Sequence, residues 1–243
     1  GLPGGRRRVA SSSACERIYL RKDGSLIQAG DLVRNPDMAE TLETLAKEGP
    51  ESMYTGSLSR IIAEDLESNG SFITHNDLRS YRVRTGAPLK VSYRGHTVSS
   101  NPPPGGGPWL LEALNILEGF PLGGLVHNGA EHLHVLAMAM KLAHGDRDRY
   151  LGDPDYADVP VAALFLSKTH AAELQQKIIT TEGLSSTAPA KPGTETTHLI
   201  VVDEDGNVAT ITHTLGSASG VITPGLGFIY NDSMKLFDPV PGN

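Results

Sequence analysis

A threonine hydroxyl is a weak nucleophile and becomes a useful one when a base sits beside it. The first residue of a chain carries such a base in its own α-amino group. The ordinary pKa of that amine, about 7.7–8.0, suits proton transfer near neutrality. One place in this sequence fits that chemistry. Residues 180–195, TTEGLSSTAPAKPGTE, are small, polar and punctuated by Pro and Gly, and they run directly into Thr196-Thr197-His198-Leu199-Ile200-Val201-Val202. The first stretch reads as a loop, and long loops in compact domains tend to be functional or disordered. The second reads as a strand, turned at Asp205-Gly206 and returning through Val208 to Thr212. Cutting the bond between Glu195 and Thr196 would create nucleophile and base in one event, and the hairpin would hold Thr196 rigidly. A Thr-Thr pair opening a strand is also what β propensity alone produces.

Other chemistry-bearing residues lead less far. The triple glycine in Asn101-Pro102-Pro103-Pro104-Gly105-Gly106-Gly107-Pro108 lacks the GK[ST] ending of a phosphate loop. His132 and His134 lie two apart on a predicted helix and point in different directions, so they do not converge on one metal. Cys15 is the single cysteine, which excludes an internal disulfide, and it reads as a small residue near a mobile end. Arg6, Arg7 and Arg8 form the basic run of a Gly- and Ser-rich stretch, a solvated loop. A net charge of −7 argues against a nucleic-acid binder.

The elements that must position Thr196 can be read from periodicity and punctuation. Hydrophobic residues make up 39% of 243 and aromatics 5%, so the core must be mostly aliphatic. Residues 1–15 read as flexible, and 17–33 as two short strands turned at KDGS. Asn35-Pro36 starts a helix with an apolar stripe of Met38, Leu42 and Leu45, stopped at Gly49-Pro50. A second helix carries Leu58, Ile61, Ile62 and Leu66 and ends at Asn69-Gly70. Residues 83–99 read as two strands split at SYRG. A helix with Leu110, Leu111, Leu114 and Leu117 follows. Residues 128–144 read as a long helix with Leu133, Leu136, Ala137 and Met140 on one face, and 168–179 as another. No stretch approaches the length of apolar chain that spans a membrane. The first fifteen residues have a basic run without an apolar run after it, so they are not a complete signal peptide.

Five segments, in order, carry a resemblance. TTHLIVVDEDGNVATITHTLGS resembles the start of the small subunit of γ-glutamyltransferases, a family of N-terminal-nucleophile hydrolases. NPPPGGGPWLLEALNILEGF and MAMKLAHGDRDRYLGDPDYADVP are similar to the proline-rich helix and the DR…YLGDP segment of the large subunit. NPDMAETLETLAKEGPESMYTG and THNDLRSY match as well.

The resemblance implies an α+β fold, a four-layer αββα sandwich of the N-terminal-nucleophile type, truncated here at both ends. Residues 1–195 would be the C-terminal part of the large-subunit region and 196–243 the start of the small-subunit region, together one domain from one precursor. Thr196 would be the nucleophile, Glu195–Thr196 the bond cut autocatalytically, and Thr214 the second threonine whose hydroxyl bonds the nucleophile. Gly216 and Ser233 fall on substrate-binding positions. Well-known members have Asn where Gly216 stands. They have an NNQM segment and an acidic pair where this chain has Asn231-Asp232-Ser233-Met234, Lys235 and Leu236.

The implied reaction is acyl transfer from a γ-glutamyl amide to water or an acceptor amine, with no cofactor, no metal and no nucleic acid. A related amidase or acylase of non-glutamyl specificity, or an inactive relative or fragment, are the alternatives. The family's oxyanion glycines and its carboxylate-binding arginine are not in the sequence, so the 243-residue chain by itself is expected to be inactive. Family members are often periplasmic or secreted, and the sequence alone does not fix the compartment.

Overall fold

Short polar caps and a few long-range hydrogen bonds set the frame around residue 196. The computed structural model describes residues 12–180, 196–216 and 218–236. The chain divides into two compact units, Gly1–Val83 with Lys191–Phe237, and Arg84–Ala190 with Asp238–Asn243. The expected loop 180–195 lies outside the described residues, apart from Thr180.

The first unit opens with α1 (Ser13–Tyr19), where flexible chain and a strand were expected. Ser12 Oγ accepts from Cys15 N at 3.1 Å and caps it. Ala14 and Cys15 are buried against Ile222, with Ile18, Tyr19 and Ile229 packed around them. A seven-residue helix is too short to be stable alone, and this contact from the far end of the chain supplies what local pattern does not. Cys15 is therefore a core residue. The KDGS turn is present, closed by a bridge between Leu20 and Leu26.

Helix α2 (Pro36–Glu48) starts where Asn35-Pro36 predicts, with Asn35 Oδ1 accepting from Met38 N at 3.0 Å. The expected stripe is displaced: Leu42 is 52% exposed and Thr41 is buried. Leu45 of the expected stripe packs against the Leu58, Ile62 and Leu226 cluster, and beside it Thr41 Oγ1 donates to Leu226 O at 2.9 Å. Asn35 Nδ2 donates to Gly227 O at 2.6 Å. Gly227 has φ +72, and a Cβ there would lie 2.3 Å from Met38 N, so only glycine fits. Helix α3 (Ser57–Ser68) buries Leu58 and Ile62 against Leu226, while Ile61 faces out. Helix α4 (His75–Ser80) starts on a capping box between Thr74 and Asp77.

In the second unit, β1 (Leu89–Tyr93) and β2 (His96–Ser100) pair antiparallel around Arg94-Gly95. Helix α5 (Gly107–Leu117) follows the proline-rich segment. A Cβ on Gly107 would lie 1.9 Å from Asn101 O. Gly107 thus lets backbone approach backbone, while a Cβ on Gly105 or Gly106 would meet the side chain of Asn101 or Trp109.

Helix α6 runs from Ala130 to Tyr150, through Gly145 and past the expected end. Its buried face is Val135, Met138, Ala139 and Ala143. The predicted Leu133 and Met140 are about half exposed, at 49% and 54%. Alanines at 139 and 143 let α6 sit close to α5 and to α7 (Lys168–Thr180), whose Ala171, Leu174 and Ile178 complete that core. Glu112 is 1% exposed inside this unit. Burial first, then the neighbouring Asp146 carboxylate, pushes its carboxyl up to about 9.

Candidate active site

Strands β3 (Thr197–Val202) and β4 (Val208–His213) pair antiparallel, from Thr197 opposite His213 to Val202 opposite Val208. This is the hairpin expected from Asp205-Gly206, with a larger loop. Asp203 organises it: Asn207 N and Asp205 N donate to Oδ1 at 2.8 and 3.1 Å, and Asn207 Nδ2 donates to Oδ2 at 2.8 Å. Gly206 takes φ +80. These bonds, the Asn207 side chain first, hold the Asp203 carboxyl below its ordinary value.

Alternation along a strand divides the hairpin into two faces. Leu199, Val201 and Ile211 share one with Thr197. The other carries Thr196, His198, Thr210, Thr212 and Thr214, so it is polar at the end where Thr196 stands. His198 Nδ1 lies 2.8 Å from Thr212 Oγ1, and His198 Nε2 lies 3.0 Å from Thr210 Oγ1. A neutral imidazole offers one donor and one acceptor, and the two hydroxyls rotate to match. This ladder is not apparent from residue types alone. Antiparallel register about Asp205 was the signal that would have found it.

Thr196 is exposed and directly precedes β3. Its Oγ1 donates to Thr214 Oγ1 at 3.4 Å, longer than the roughly 2.7–2.8 Å of an ordinary hydroxyl pair. Gly216 N donates to the same Thr214 oxygen at 3.0 Å. Gly216 takes φ +68, the left-handed region that glycine enters without the steric cost a side chain would bring.

The chain after Gly216 folds back beside the same site. Leu215 O accepts from Ala218 N and Asp232 N, both at 3.1 Å. Ser219 N donates to Tyr230 O at 3.0 Å, and Tyr230 N donates to Val221 O at 3.0 Å. Ser233 N donates to Asn231 Oδ1 at 2.9 Å and opens the short turn Ser233–Leu236. Thr196, Thr214 and Gly216 are thus joined by hydrogen bonds. Ser233 is brought near through the backbone pair of Asp232 with Leu215. Glu195 lies outside the described residues.

Thr223 anchors this strap. Its Oγ1 donates to Asp65 Oδ2 at 2.6 Å and accepts from the Tyr230 hydroxyl at 2.7 Å. Burial pushes the Tyr230 hydroxyl up from its ordinary value.

Among the described residues, the histidines of α6 join no ligand set. The His132 ring stands against His127, centroids 5.4 Å apart. Among the described residues, the side chains that converge with metal-ligand chemistry are Glu112, Asp146 and His170, in the other unit.

The family model described as Gamma-glutamyltranspeptidase matches residues 5–243, and the chain belongs to that family. It is 38% identical over 228 residues to the Acylase ACY 1 proenzyme of Pseudomonas sp. (strain V22), covering 92% of this chain and 41% of that protein. It is 35% identical over 231 residues to the glutathione hydrolase proenzyme of Escherichia coli (strain K12), covering 91% and 40%. Among solved structures, cephalosporin acylase from Bacillus halodurans superimposes with a TM-score of 0.79 at 33% identity, over 91% of this chain and 40% of that one. Helicobacter pylori gamma-glutamyltranspeptidase gives 0.68 at 34% identity, over 71% and 50%. The chain spans about two-fifths of the curated relatives' length, and its mixed helix and sheet is the α+β class of these enzymes.

Proposed function

We propose that this chain holds the nucleophile of an acyl-transfer enzyme whose precursor cuts itself between Glu195 and Thr196. Residues 1–195 belong to the large-subunit region and 196–243 to the small. The new α-amine of Thr196 takes the proton from Oγ1 as that oxygen attacks a substrate amide carbonyl. The proton passes to the leaving amine, and a threonyl ester remains. Water or an acceptor amine then attacks the ester and frees the hydroxyl. The observation that carries this reading is Thr196 at the head of β3 with its hydroxyl directed at Thr214. Thr214, itself held by Gly216 N, orients the nucleophile.

The acyl donor on this reading is a γ-glutamyl or related amide. A second reading, an acylase for a group without the glutamyl ammonium, is favoured by Gly216, Ser233 and Leu236 at positions that are polar or acidic in well-known γ-glutamyltransferases. Relatives named acylase and relatives named glutathione hydrolase resemble the chain to a similar degree, which fits either donor. Loss of a buried hydrogen-bonding partner costs orders of magnitude in discrimination. Full-length protein assayed on γ-glutamyl and glutaryl amides separates the two. Strong preference for γ-glutamyl, with the free amino group required, excludes the second.

Intact mass and N-terminal sequencing of full-length protein test the shared step. The expected product begins Thr-Thr-His-Leu in the parent and in Thr197→Ala, and Thr196→Ala stays uncut. Cleavage surviving in Thr196→Ala, or a folded parent that never cuts, refutes the proposal.

A further inference from the structure

The three-helix core of the second unit encloses a polar cluster with no part in the acyl-transfer site. Glu112 on α5, Asp146 on α6 and His170 on α7 each bring one ligand atom within 4.8 Å of the others. His170 Nε2 lies 2.7 Å from Asp146 Oδ2 and 3.4 Å from Glu112 Oε1. The side chains are 1% exposed for Glu112, 20% for Asp146 and 19% for His170. No N–H or hydroxyl makes an ordinary hydrogen bond to either carboxyl oxygen of Glu112; its polar neighbours are the His170 ring at 3.4 Å and the Asp146 carboxyl itself. A buried carboxyl satisfied only by a second carboxyl and a distant imidazole is costly, and such groups are normally paired or bound to metal.

Charge and geometry point the same way. Glu173 Oε2 stands 3.6 Å from His170 Nδ1, so three carboxyl groups surround a single imidazole. Metal–oxygen and metal–nitrogen bonds of about 2.0–2.2 Å place adjacent ligand atoms roughly 3 Å apart, and the two distances at Nε2 bracket that value. An outer carboxylate beside the second ring nitrogen is the usual support of a metal-bound histidine.

We propose that Glu112, Asp146 and His170 bind one divalent first-row transition cation, which ties α5, α6 and α7 together. Two carboxylates with an imidazole suit Mn2+ or Zn2+. Mg2+ and Ca2+ favour all-oxygen shells. The site is structural, and it stands whether or not Thr196 acts as a nucleophile.

The test uses the purified full-length protein without a histidine tag, stripped with chelator and then titrated calorimetrically with MnCl2, ZnCl2, MgCl2 and CaCl2. One equivalent of Mn2+ or Zn2+ should bind. At a 100-fold excess over Kd it should raise Tm by about 2–4 °C. Glu112→Gln, Asp146→Asn and His170→Gln should each lose the bound equivalent. Glu131→Gln, an exposed acid on α6, should keep it. Circular dichroism checks that each variant is folded, and the three ligand variants substitute for one another if one is not. No stoichiometric binding of either cation by the parent, or binding retained in the folded ligand variants, overturns the proposal.

Discussion

His198 Nδ1 lies 2.8 Å from Thr212 Oγ1, a cross-strand contact two residues from Thr196 on the same face of the hairpin. With Thr210 on the other ring nitrogen, the imidazole ties three side chains into one ladder. His198→Ala leaves two hydroxyls without their partner at the strand that positions Thr196. Self-cleavage of the full-length protein is expected to slow several-fold without stopping. Timed gel analysis of freshly refolded protein measures it, and an unchanged rate would show that the ladder does not position the nucleophile.

Thr214 is expected to matter through its oxygen. Thr214→Ala removes a hydroxyl partner whose net worth to a developing charge is about 1.5–3 kcal/mol, or roughly 10- to 100-fold in kcat/KM of the processed enzyme. Thr214→Ser keeps the oxygen that Gly216 N also binds, and should recover most of the loss. A serine variant as poor as the alanine variant would assign Thr214 to packing alone.

Cys15 should be silent toward thiol reagents. Burial, and then the adjacent Glu16, raises its thiol above the ordinary value, so little thiolate exists near neutrality. Ellman's reagent should titrate no thiol in the native chain and one in denaturant. Cys15→Ser puts a hydroxyl into the contact with Ile222 and should cost about 1–3 kcal/mol in urea unfolding.

Asp203 predicts an acid limb for the hairpin. Its folded-state pKa lies below the ordinary 3.8. Its stabilising effect is therefore complete above that value and is lost as pH falls through the lower folded value. Asp203→Asn should weaken protection of the hairpin amides at pH 6 and narrow the gap to the parent below pH 4. Hydrogen exchange measured at both pH values checks the sign, and a gap that widens in acid would contradict it.

Local signals carried much of the fold. Asn35-Pro36 marks the start of α2 because cap and N1 chemistry act within four residues. Asp205-Gly206 marks a hairpin for the same reason. The buried faces of α2 and α6 were harder to read. Thr41 is inside because a carbonyl at Leu226 meets it, and Ala139 and Ala143 are inside because small residues admit a neighbouring helix. Neither partner is visible in a window of a dozen residues. Helix α1 depends on Ile222 in the same way. At the site, the change of texture before Thr196 suggests a candidate that β propensity explains as well, and the assignment of Thr196, like that of Thr214, rests on the family resemblance. His198 was passed over because its partners become neighbours only once the register is known.

The hydrogen bonds from Asn35 to Gly227, Thr41 to Leu226 and Thr223 to Asp65 join residues 158 to 192 positions apart, on opposite sides of the Glu195–Thr196 bond. While the chain is continuous, the polypeptide is its own tether, and these contacts form at the high effective concentration of an intramolecular encounter. Cutting before Thr196 removes the tether and leaves the contacts. Cohesion of the two pieces would then be a matter of a dissociation constant, to which Leu226 against Leu58 and Ile62, Ile222 against Ala14 and Cys15, and these hydrogen bonds all contribute. Dilution, which cannot unfold an uncut chain, becomes able to separate the pieces of a cut one.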